Sequence, residues 1–280
     1  MEAASVTLAY VCPRCRGALV EEGGYAVCAS CAARYGLMAH AYADFAGPEM
    51  TFDDWWMQSP ETMRQWLDEE APREEEYEVG LARGYVVPVL ERLGYSPGRA
   101  CVLSAGCGLA ADVDYLNEVG YASWGVDCGN RTLRWGERRH RARLARADLL
   151  RLPFPDAVFD FVLSLNTLEH IGVVGDTTRV TPNYREQRIA ALRSLLRVTR
   201  PGGHLLLSGL SRTIPLDFGH VQESGFVRIH FDWDTAERQR VRSNYVVLYR
   251  YREGRIGQQE LYYDPSGALE LLAPTPSTSR

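Results

Sequence analysis

Short apolar runs alternate with amphipathic stretches between about residues 100 and 264, as strands and helices do when they follow one another. Segments 109–119, 130–142 and 185–199 are expected to be helices. In the last helix the buried side is expected to comprise Ile189, Leu192, Leu195, Leu196 and Val198. Five runs predict strands: ACVLSA, YASWGVD, the apolar part of RARLARAD, AVFDFVLSL and HLLLSGL. The pattern indicates an α/β fold, a doubly wound, mostly parallel sheet with helices on both faces.

Three later runs, FVRIHFD, NYVVLYRYR and QELYYD, alternate more strictly and predict antiparallel strands at one edge of the sheet. The expected divisions are a cysteine-containing segment at 1–47, a helical cap or linker at 48–97, the sheet domain at 98–265 and a flexible tail at 266–280. The cap is acidic at its start, because residues 53–78 hold ten acids against Arg64 and Arg73.

Charge and hydropathy exclude some classes of protein. The formal charge is -5 and all 31 cations are arginines, a balance that argues against a dedicated nucleic-acid binder. A run of about eighteen apolar residues is missing, so we expect no membrane span. The first residues do not read as a secretion signal, and we expect a cytoplasmic protein. Clustered cysteines in such a reducing compartment usually bind metal.

A glycine-rich turn follows the first strand of the sheet domain in the stretch CVLSAGCGLAADVDYLNEVGYASWGVD. Gly106 and Gly108 allow a sharp turn and a close approach of backbone N–H groups to a ligand. Asp127 ends the second strand and can accept hydrogen bonds from two ribose hydroxyls. Neither feature selects a cofactor, because Gly106-x-Gly108-x-x-Ala111 also satisfies the dinucleotide fingerprint.

The segments RADLLRLPFPDAVFDFVLSLNTLEH and LLRVTRPGGHLLLS are more selective. With the glycine turn, they resemble the class I S-adenosylmethionine-dependent methyltransferases over about residues 100–209, closest to the group that includes ubiquinone-biosynthesis enzymes. The resemblance implies a Rossmann-like fold and S-adenosylmethionine as cofactor. Asp127 would then bind the ribose, Asp148 the adenine amino group, and Leu165 and Asn166 would line the sulfonium. The implied cofactor-binding residues are Ser104, Ala105, Gly106, Cys107, Gly108, Asp127, Cys128, Asp148, Leu149, Leu165 and Asn166.

Two positions depart from that family's pattern. Ser104 stands where an acid is usual, and Ala110 stands where a third glycine is usual. A serine brings a hydrogen bond but no charge. Ser104 is either a tolerated variant, with weaker cofactor binding or with compensation by an acid such as Asp112, or the mark of a domain that has lost catalysis.

Four cysteines, Cys12, Cys15, Cys28 and Cys31, have the spacing C-x2-C-x12-C-x2-C, a strong signal for a structural Zn²⁺ site. The surrounding segment looks like the zinc ribbon of the activator subunit of tRNA methyltransferases and of some rRNA guanine methyltransferases. Such ribbons often bind RNA. Residues 1–50 are net acidic, however, with three arginines against five acids, so we expect a packing or lid module.

A basic stripe covers the second helix and the strand after it. An RNA-contacting surface would look like this, as would a solvated face. Opposite charge in residues 53–78 favours pairing within the chain or across a homodimer. The stripe consists of Arg131, Arg134, Arg138, Arg139, Arg141, Arg143 and Arg146.

Candidate groups for acceptor chemistry lie near strand ends. His170 and His220 are the candidate bases, with Asp217 near the second. Trp55 and Trp56 either pack a helix on the sheet or form an aromatic cap over a substrate, and the loop 172–183 would close the other side. We expect methyl transfer to a small molecule, in specialised metabolism. The alternatives are an RNA base methyltransferase and a non-catalytic partner protein.

Overall fold

The computed structural model describes residues 10–37, 42–46, 54–174, 180–208, 245–252 and 255–263. The helices are α1 (Pro60–Gln65), α2 (Ala71–Leu81), α3 (Val87–Arg92), α4 (Ala111–Glu118) and α5 (Tyr184–Val198). The strands are β1 (Leu19–Glu22), β2 (Tyr25–Cys28), β3 (Arg34–Leu37), β4 (Ala43–Asp44), β5 (Cys101–Ala105), β6 (Ala122–Asp127), β7 (Leu144–Arg146), β8 (Phe159–Leu165), β9 (Thr199–Ser208), β10 (Tyr245–Arg252) and β11 (Arg255–Tyr263).

One sheet joins all eleven strands in the order β1-β2-β3-β4-β7-β6-β5-β8-β9-β10-β11. The neighbouring strands from β4 through β7, β6, β5 and β8 to β9 pair in parallel. Strand β10 pairs antiparallel with β9, and β11 pairs antiparallel with β10. The predicted mostly parallel sheet with an antiparallel edge is therefore confirmed. The run FVRIHFD lies outside the described residues. Chain order reverses between β5 and β8, and ligands bind at such a switch point, beyond the carboxyl ends of the strands.

Two apolar layers cover the faces of the sheet. Along β5, β8 and β9, successive side chains point to opposite faces of the sheet and so belong alternately to the two layers. Helix α5 packs on one face, and α3 and α4 pack on the other. The prediction that Ile189 is buried was wrong. Ile189 is 44% exposed, and Arg188 is buried instead because it hydrogen-bonds to the turn before the helix.

The cap is a nearly unbroken helical run from Pro60 to Arg92, as predicted for this region. Ser59 starts it with a capping box, accepting a hydrogen bond from the Thr62 N–H at 3.1 Å. Two π-helical turns, Trp66–Glu70 and Ala82–Val86, end just before the Ala71-Pro72 and Val87-Pro88 pairs. A proline inside a helix lacks an N–H and clashes with the preceding turn, so these wider turns let the run continue.

The cysteine-containing segment is joined directly to the main sheet. Its last strand, β4, pairs in parallel with β7, and Arg146 of β7 contacts the Asp44 carboxylate at 3.2 Å. Tyr10 and Phe45 pack into the same apolar layer as helix α5. The segment is thus an extension of the sheet. Among the described residues, the helices are too short or too polar to cross a lipid bilayer.

Candidate cofactor site and metal centre

The glycine turn lies at the switch point, directly after β5. Gly106 has φ of +82° and Gly108 has φ of +52°, in the left-handed region that glycine adopts without strain. A Cβ on Gly106 would lie 2.1 Å from the Cγ2 of Thr167, which follows β8. This close contact is a second reason for glycine at position 106. The turn thus lies between the ends of β5 and β8, and its Gly106 and Cys107 N–H groups donate to the Val126 carbonyl at 2.7 and 3.1 Å.

Asp127 organises this turn from the end of β6. Its Oδ2 accepts the Gly108 N–H at 2.9 Å, and its Oδ1 accepts the Gly129 N–H at 2.7 Å. A carboxylate has about four lone-pair sites, so each oxygen keeps acceptor capacity for a ligand hydroxyl. These two acceptor oxygens fit a pair of adjacent hydroxyl groups, such as those of a ribose.

Ser104 is 3% exposed, and its hydroxyl donates to the Asp112 Oδ2 at 2.5 Å. The Val113 N–H donates to the Asp112 Oδ1 at 2.7 Å. Burial raises the pKa of Asp112 to about 6, despite these two hydrogen bonds. The two side chains therefore place a buried acid behind the turn. The Ala105 and Cys107 side chains are also buried, and the Cys107 N–H donates to the Val126 carbonyl at 3.1 Å.

A second carboxylate reaches the turn from the cap. Glu78 of α2 accepts the Leu109 N–H at 2.8 Å with Oε1 and the Ala111 N–H at 2.9 Å with Oε2. Burial, together with the charge of Asp112, raises the pKa of Glu78 well above its ordinary value. The site is therefore bordered by three carboxylates, those of Glu78, Asp112 and Asp127.

Asp148 lies at the carboxyl end of β7, next to β6. Its Oδ1 accepts the Leu150 N–H at 2.9 Å, so the side chain caps a short 3-10 turn and its second oxygen remains a candidate acceptor for an amino group. The Leu149 side chain is 5% exposed and belongs to the core. Cys128 lies between the two acids, and its burial, with their charges, raises the pKa of its thiol.

The opposite wall of the site follows β8. Leu165 is partly buried, and Asn166 is exposed with φ of +50°, an uncommon conformation that recurs at functional sites. The Asn166 amide donates to the Tyr77 hydroxyl at 3.3 Å, and its Oδ1 accepts the Ser208 hydroxyl at 3.1 Å. Cap, β8 and β9 therefore meet at this residue.

His170 is exposed on the 3-10 turn Leu168–His170 that follows β8. Arg188 of α5 fixes this turn, donating to the Glu169 carbonyl at 2.6 Å and to the Ile171 carbonyl at 3.0 Å. Of the candidates for acceptor chemistry, His170 is thus near the carboxyl ends of the strands. His220 and Asp217 lie outside the described residues.

Trp56, just before the cap, packs against other side chains rather than lining an open cavity. Trp56 is 2% exposed and stacks on Trp66, with ring centroids 4.0 Å apart, in a cluster with Leu109. Trp55 lies in the 3-10 turn Trp55–Met57. For Trp56, the structure favours the packing interpretation over the substrate cap.

The four clustered cysteines converge on one point. Their sulfurs all lie within 4.8 Å of one another, with Cys12 and Cys31 at 3.7 Å and Cys15 and Cys28 at 3.4 Å. A tetrahedral Zn²⁺ with bonds of about 2.3 Å needs sulfurs roughly 3.8 Å apart, so the donor set fits.

The basic stripe is paired within the chain. Arg131 makes a bidentate contact with Glu74 at 2.6 and 2.9 Å, and Arg138 contacts Glu75. The other contacts of the stripe are Arg134 with Glu75 and Glu137, Arg139 with Glu118, Arg146 with Asp44, and Arg143 stacked on Trp124. The acidic cap is thus the partner of the part of the stripe next to the cofactor turn.

Residues 103–207, which contain the glycine turn, Asp127, Asp148 and β8, match the family model described as a methyltransferase domain. This part of the chain is similar to methyltransferase domains. The chain is 28% identical over 125 residues to a protein of Mycolicibacterium smegmatis named as a probable S-adenosylmethionine-dependent methyltransferase, covering 44% of this chain and 43% of the relative. It is 36% identical over 119 residues to the demethylmenaquinone methyltransferase of Mycolicibacterium paratuberculosis, covering 42% and 45%.

The chain spans less than half the length of these two relatives. Among solved structures, DesVI of Streptomyces venezuelae aligns with 15% identity and a TM-score of 0.42, over 72% of this chain and 81% of that one. The [4+2]-cyclase SpnF aligns with 21% identity and a TM-score of 0.34, over 43% and 42%.

Four residues around the candidate cofactor site were not predicted from the sequence: Glu78, Tyr77, Thr167 and Arg188. Glu78 was one of ten acids in the cap, and only the fold shows that it faces the turn. Arg188 carried no signal either, because an apolar pattern does not register the hydrogen bonds that hold it on the buried side.

Proposed function

We propose that this chain transfers a methyl group from S-adenosylmethionine to a small-molecule acceptor in specialised metabolism. The observation that carries the proposal is the glycine turn at the switch point of a methyltransferase domain, with Asp127 bonded to it. The same proposal divides the chain into a ribbon at 1–47, a cap at 48–97, the catalytic domain at 98–265 and a tail at 266–280.

The residues of the turn would hold the cofactor mainly through the main chain. The carbonyl oxygens of Gly106, Cys107 and Gly108 each have a second lone pair and would accept hydrogen bonds from the methionine ammonium. Asp127 would accept hydrogen bonds from the ribose hydroxyls, and Asp148 from the adenine amino group. Leu165 and Asn166 would face the sulfonium. When bound, the cofactor supplies an electrophilic methyl group, and the chain's task is to align an acceptor with it and to exclude water.

A protic acceptor also needs a base. His170 is the described candidate, because it lies on the turn after β8 and Arg188 fixes the main chain on both sides of it. An imidazole nitrogen can accept a proton from an attacking nucleophile, as general-base catalysis requires. We propose His170 in this role, with His220 and Asp217 as further candidates beyond the described residues.

The metal in this proposal is structural Zn²⁺, held by Cys12, Cys15, Cys28 and Cys31. Four protein thiolates fill a tetrahedral site and leave no position for water or substrate. The short strands β1 to β3 contribute few buried side chains, so the metal would supply folding free energy to the ribbon.

The charge pairing supports a small acceptor over RNA. Arg131, Arg134 and Arg138 contact Glu74 and Glu75 of the cap, so these cations are already neutralised by partners in the chain. A phosphate-binding surface needs cations that can release counterions to the nucleic acid.

Titration calorimetry of S-adenosylmethionine and S-adenosylhomocysteine into zinc-loaded protein tests the cofactor assignment. We expect binding that Asp127→Asn weakens by about tenfold, since a charged acceptor is lost. Asp160→Asn is the matched control. Asp160 also accepts a main-chain N–H, that of Cys101 at 2.8 Å, but at the amino end of β8. Wild-type protein that binds neither compound would refute the proposal and favour a non-catalytic partner.

Transfer of a labelled methyl group to pools of small molecules and of RNA then tests the acceptor. Label in small molecules is the expected result. Label in RNA, with RNA affinity that falls steeply as salt rises, would instead establish the RNA methyltransferase alternative.

A further inference from the structure

Glu78 is the cap residue that contacts the cofactor turn most directly. Its two carboxylate oxygens accept two different main-chain N–H groups, those of Leu109 and Ala111, at 2.8 and 2.9 Å. These amides stand between the glycine turn and the first turn of α4, where N–H groups have no partner inside the helix. The contact therefore joins helix α2 to the part of the main chain that would receive the cofactor.

The main chain of the turn is shaped around this carboxylate. A Cβ on Gly108 would lie 2.6 Å from the Glu78 Oε1, so only glycine lets the acid approach. Ala110, between the two bonded amides, has φ of +60°, which is unfavourable for a residue with a Cβ. Such a conformation persists where neighbouring contacts enforce it. Here the two hydrogen bonds to Glu78 on either side of Ala110 supply that constraint.

Two ion pairs on the same helix seat α2 against the other side of the site. The two Glu74 oxygens accept hydrogen bonds from the Nε and Nη2 of Arg131, and Glu75 contacts Arg138. These arginines belong to the segment that follows Asp127, the proposed ribose acceptor, and Gly129, whose N–H donates to Asp127. Helix α2 is thereby attached both to the glycine turn and to the segment after β6.

We propose that Glu78 is a positioning residue of the cofactor site, whose carboxylate holds the glycine turn in the conformation that binds S-adenosylmethionine. Docking of helix α2 and binding of the cofactor are then coupled, because each favours the same conformation of the turn. This inference rests on the proposed function. In this inference the cap contributes to cofactor binding by fixing the turn, in addition to covering the site.

Glu78→Gln tests the inference, with Glu76→Gln as the matched control, an exposed acid on the same helix. A glutamine keeps one acceptor oxygen but presents an NH₂ group to the second N–H, so one amide loses its partner. In calorimetry at pH 8 we expect Glu78→Gln to bind S-adenosylhomocysteine at least about tenfold more weakly, the effect of losing a charge-assisted hydrogen bond. Glu76→Gln should bind like the wild type.

The pH profile separates this role from simple packing of the cap. Protonated Glu78 resembles glutamine, so the ratio of the two dissociation constants should shrink towards one as the pH falls and Glu78 becomes protonated. The groups that face Glu78 are the Leu109 and Ala111 amides, the Asp112 carboxylate and Arg138. Asp112 interacts with Glu78, so both proteins are compared in an Asp112→Asn background, which removes the Asp112 titration from the ratio. A ratio that is constant with pH would overturn the inference.

Hydrogen–deuterium exchange on the wild type gives a second measurement, which does not depend on folding of the variant. S-adenosylhomocysteine should raise protection in residues 71–81 together with residues 109–111. Protection that rises in the turn alone would overturn the coupling. A wild type that binds no cofactor refutes the proposed function itself, whereas equal binding by wild type and Glu78→Gln refutes this inference alone.

Discussion

Asp112→Asn is expected to stabilise the protein at neutral pH, although it removes a residue next to the cofactor turn. Asp112 is 8% exposed and has two hydrogen-bond donors, the Ser104 hydroxyl and the Val113 N–H. An asparagine can accept the Val113 N–H with its carbonyl and donate to the Ser104 oxygen with its amide. Both hydrogen bonds therefore persist while the buried charge is removed.

The magnitude follows from the pKa of Asp112, which burial raises from 3.8 to about 6. The folded protein binds this proton more tightly than the unfolded chain, so the charge costs stability as the pH rises from about 4 to about 6, and the cost is full above that range. A shift of about 2 units corresponds to about 3 kcal/mol at pH 7 and to about half of that at pH 5.

Urea denaturation of wild type and Asp112→Asn between pH 5 and pH 8 measures this difference, and effects of pH on the thiolates cancel between the two proteins. The stabilisation should grow with pH by about 1 to 2 kcal/mol over this range. Ser104→Ala is the opposite control, because it leaves the carboxylate without one donor and should destabilise at pH 7 by about 1–3 kcal/mol. An Asp112→Asn protein that is destabilised by the same amount at every pH would refute the reasoning.

Three further predictions concern the turn, the β8 wall and the ribbon. Gly108→Ala should destabilise the protein by about 1–2 kcal/mol, measured by urea denaturation, because position 108 has a left-handed φ. It should also weaken S-adenosylhomocysteine binding, measured by calorimetry, because a Cβ there displaces Glu78. Arg188→Met should remove two hydrogen bonds to the turn of His170 and lower kcat more than it raises KM, and steady-state kinetics would contradict this if only KM changed. Cys28→Ser should lower zinc content, measured by metal analysis, and increase amide exchange in residues 19–37.

The strands and the turn could be predicted because their signals are local. The apolar runs of β5, β6, β8 and β9 and the spacing of Gly106, Gly108 and Asp127 lie within short windows of the chain. The cysteine spacing is local in the same sense, and the four sulfurs do converge. These predictions needed no knowledge of how distant segments pack.

The remaining features depend on contacts between distant segments. Glu78 meets amides more than thirty positions later, and no periodicity marks which of the cap's acids does so. The parallel pairing of the two-residue strand β4 with β7 spans about a hundred positions and is too short to leave a pattern. The buried side of α5 was partly mispredicted because Arg188 takes its place there through hydrogen bonds, which an apolar pattern does not register.

The pairing of β4 with β7 has a consequence for the behaviour of the protein in concentrated solution. An uncovered sheet edge is a template for pairing with another chain, and β7 would otherwise present such an edge. Strand β4 covers it, with the Arg146–Asp44 ion pair alongside. Chelators or oxidants that unfold the ribbon would therefore promote aggregation through an exposed β7. Shelf life and purification yield should follow the metal content of the preparation even when the cofactor site is intact.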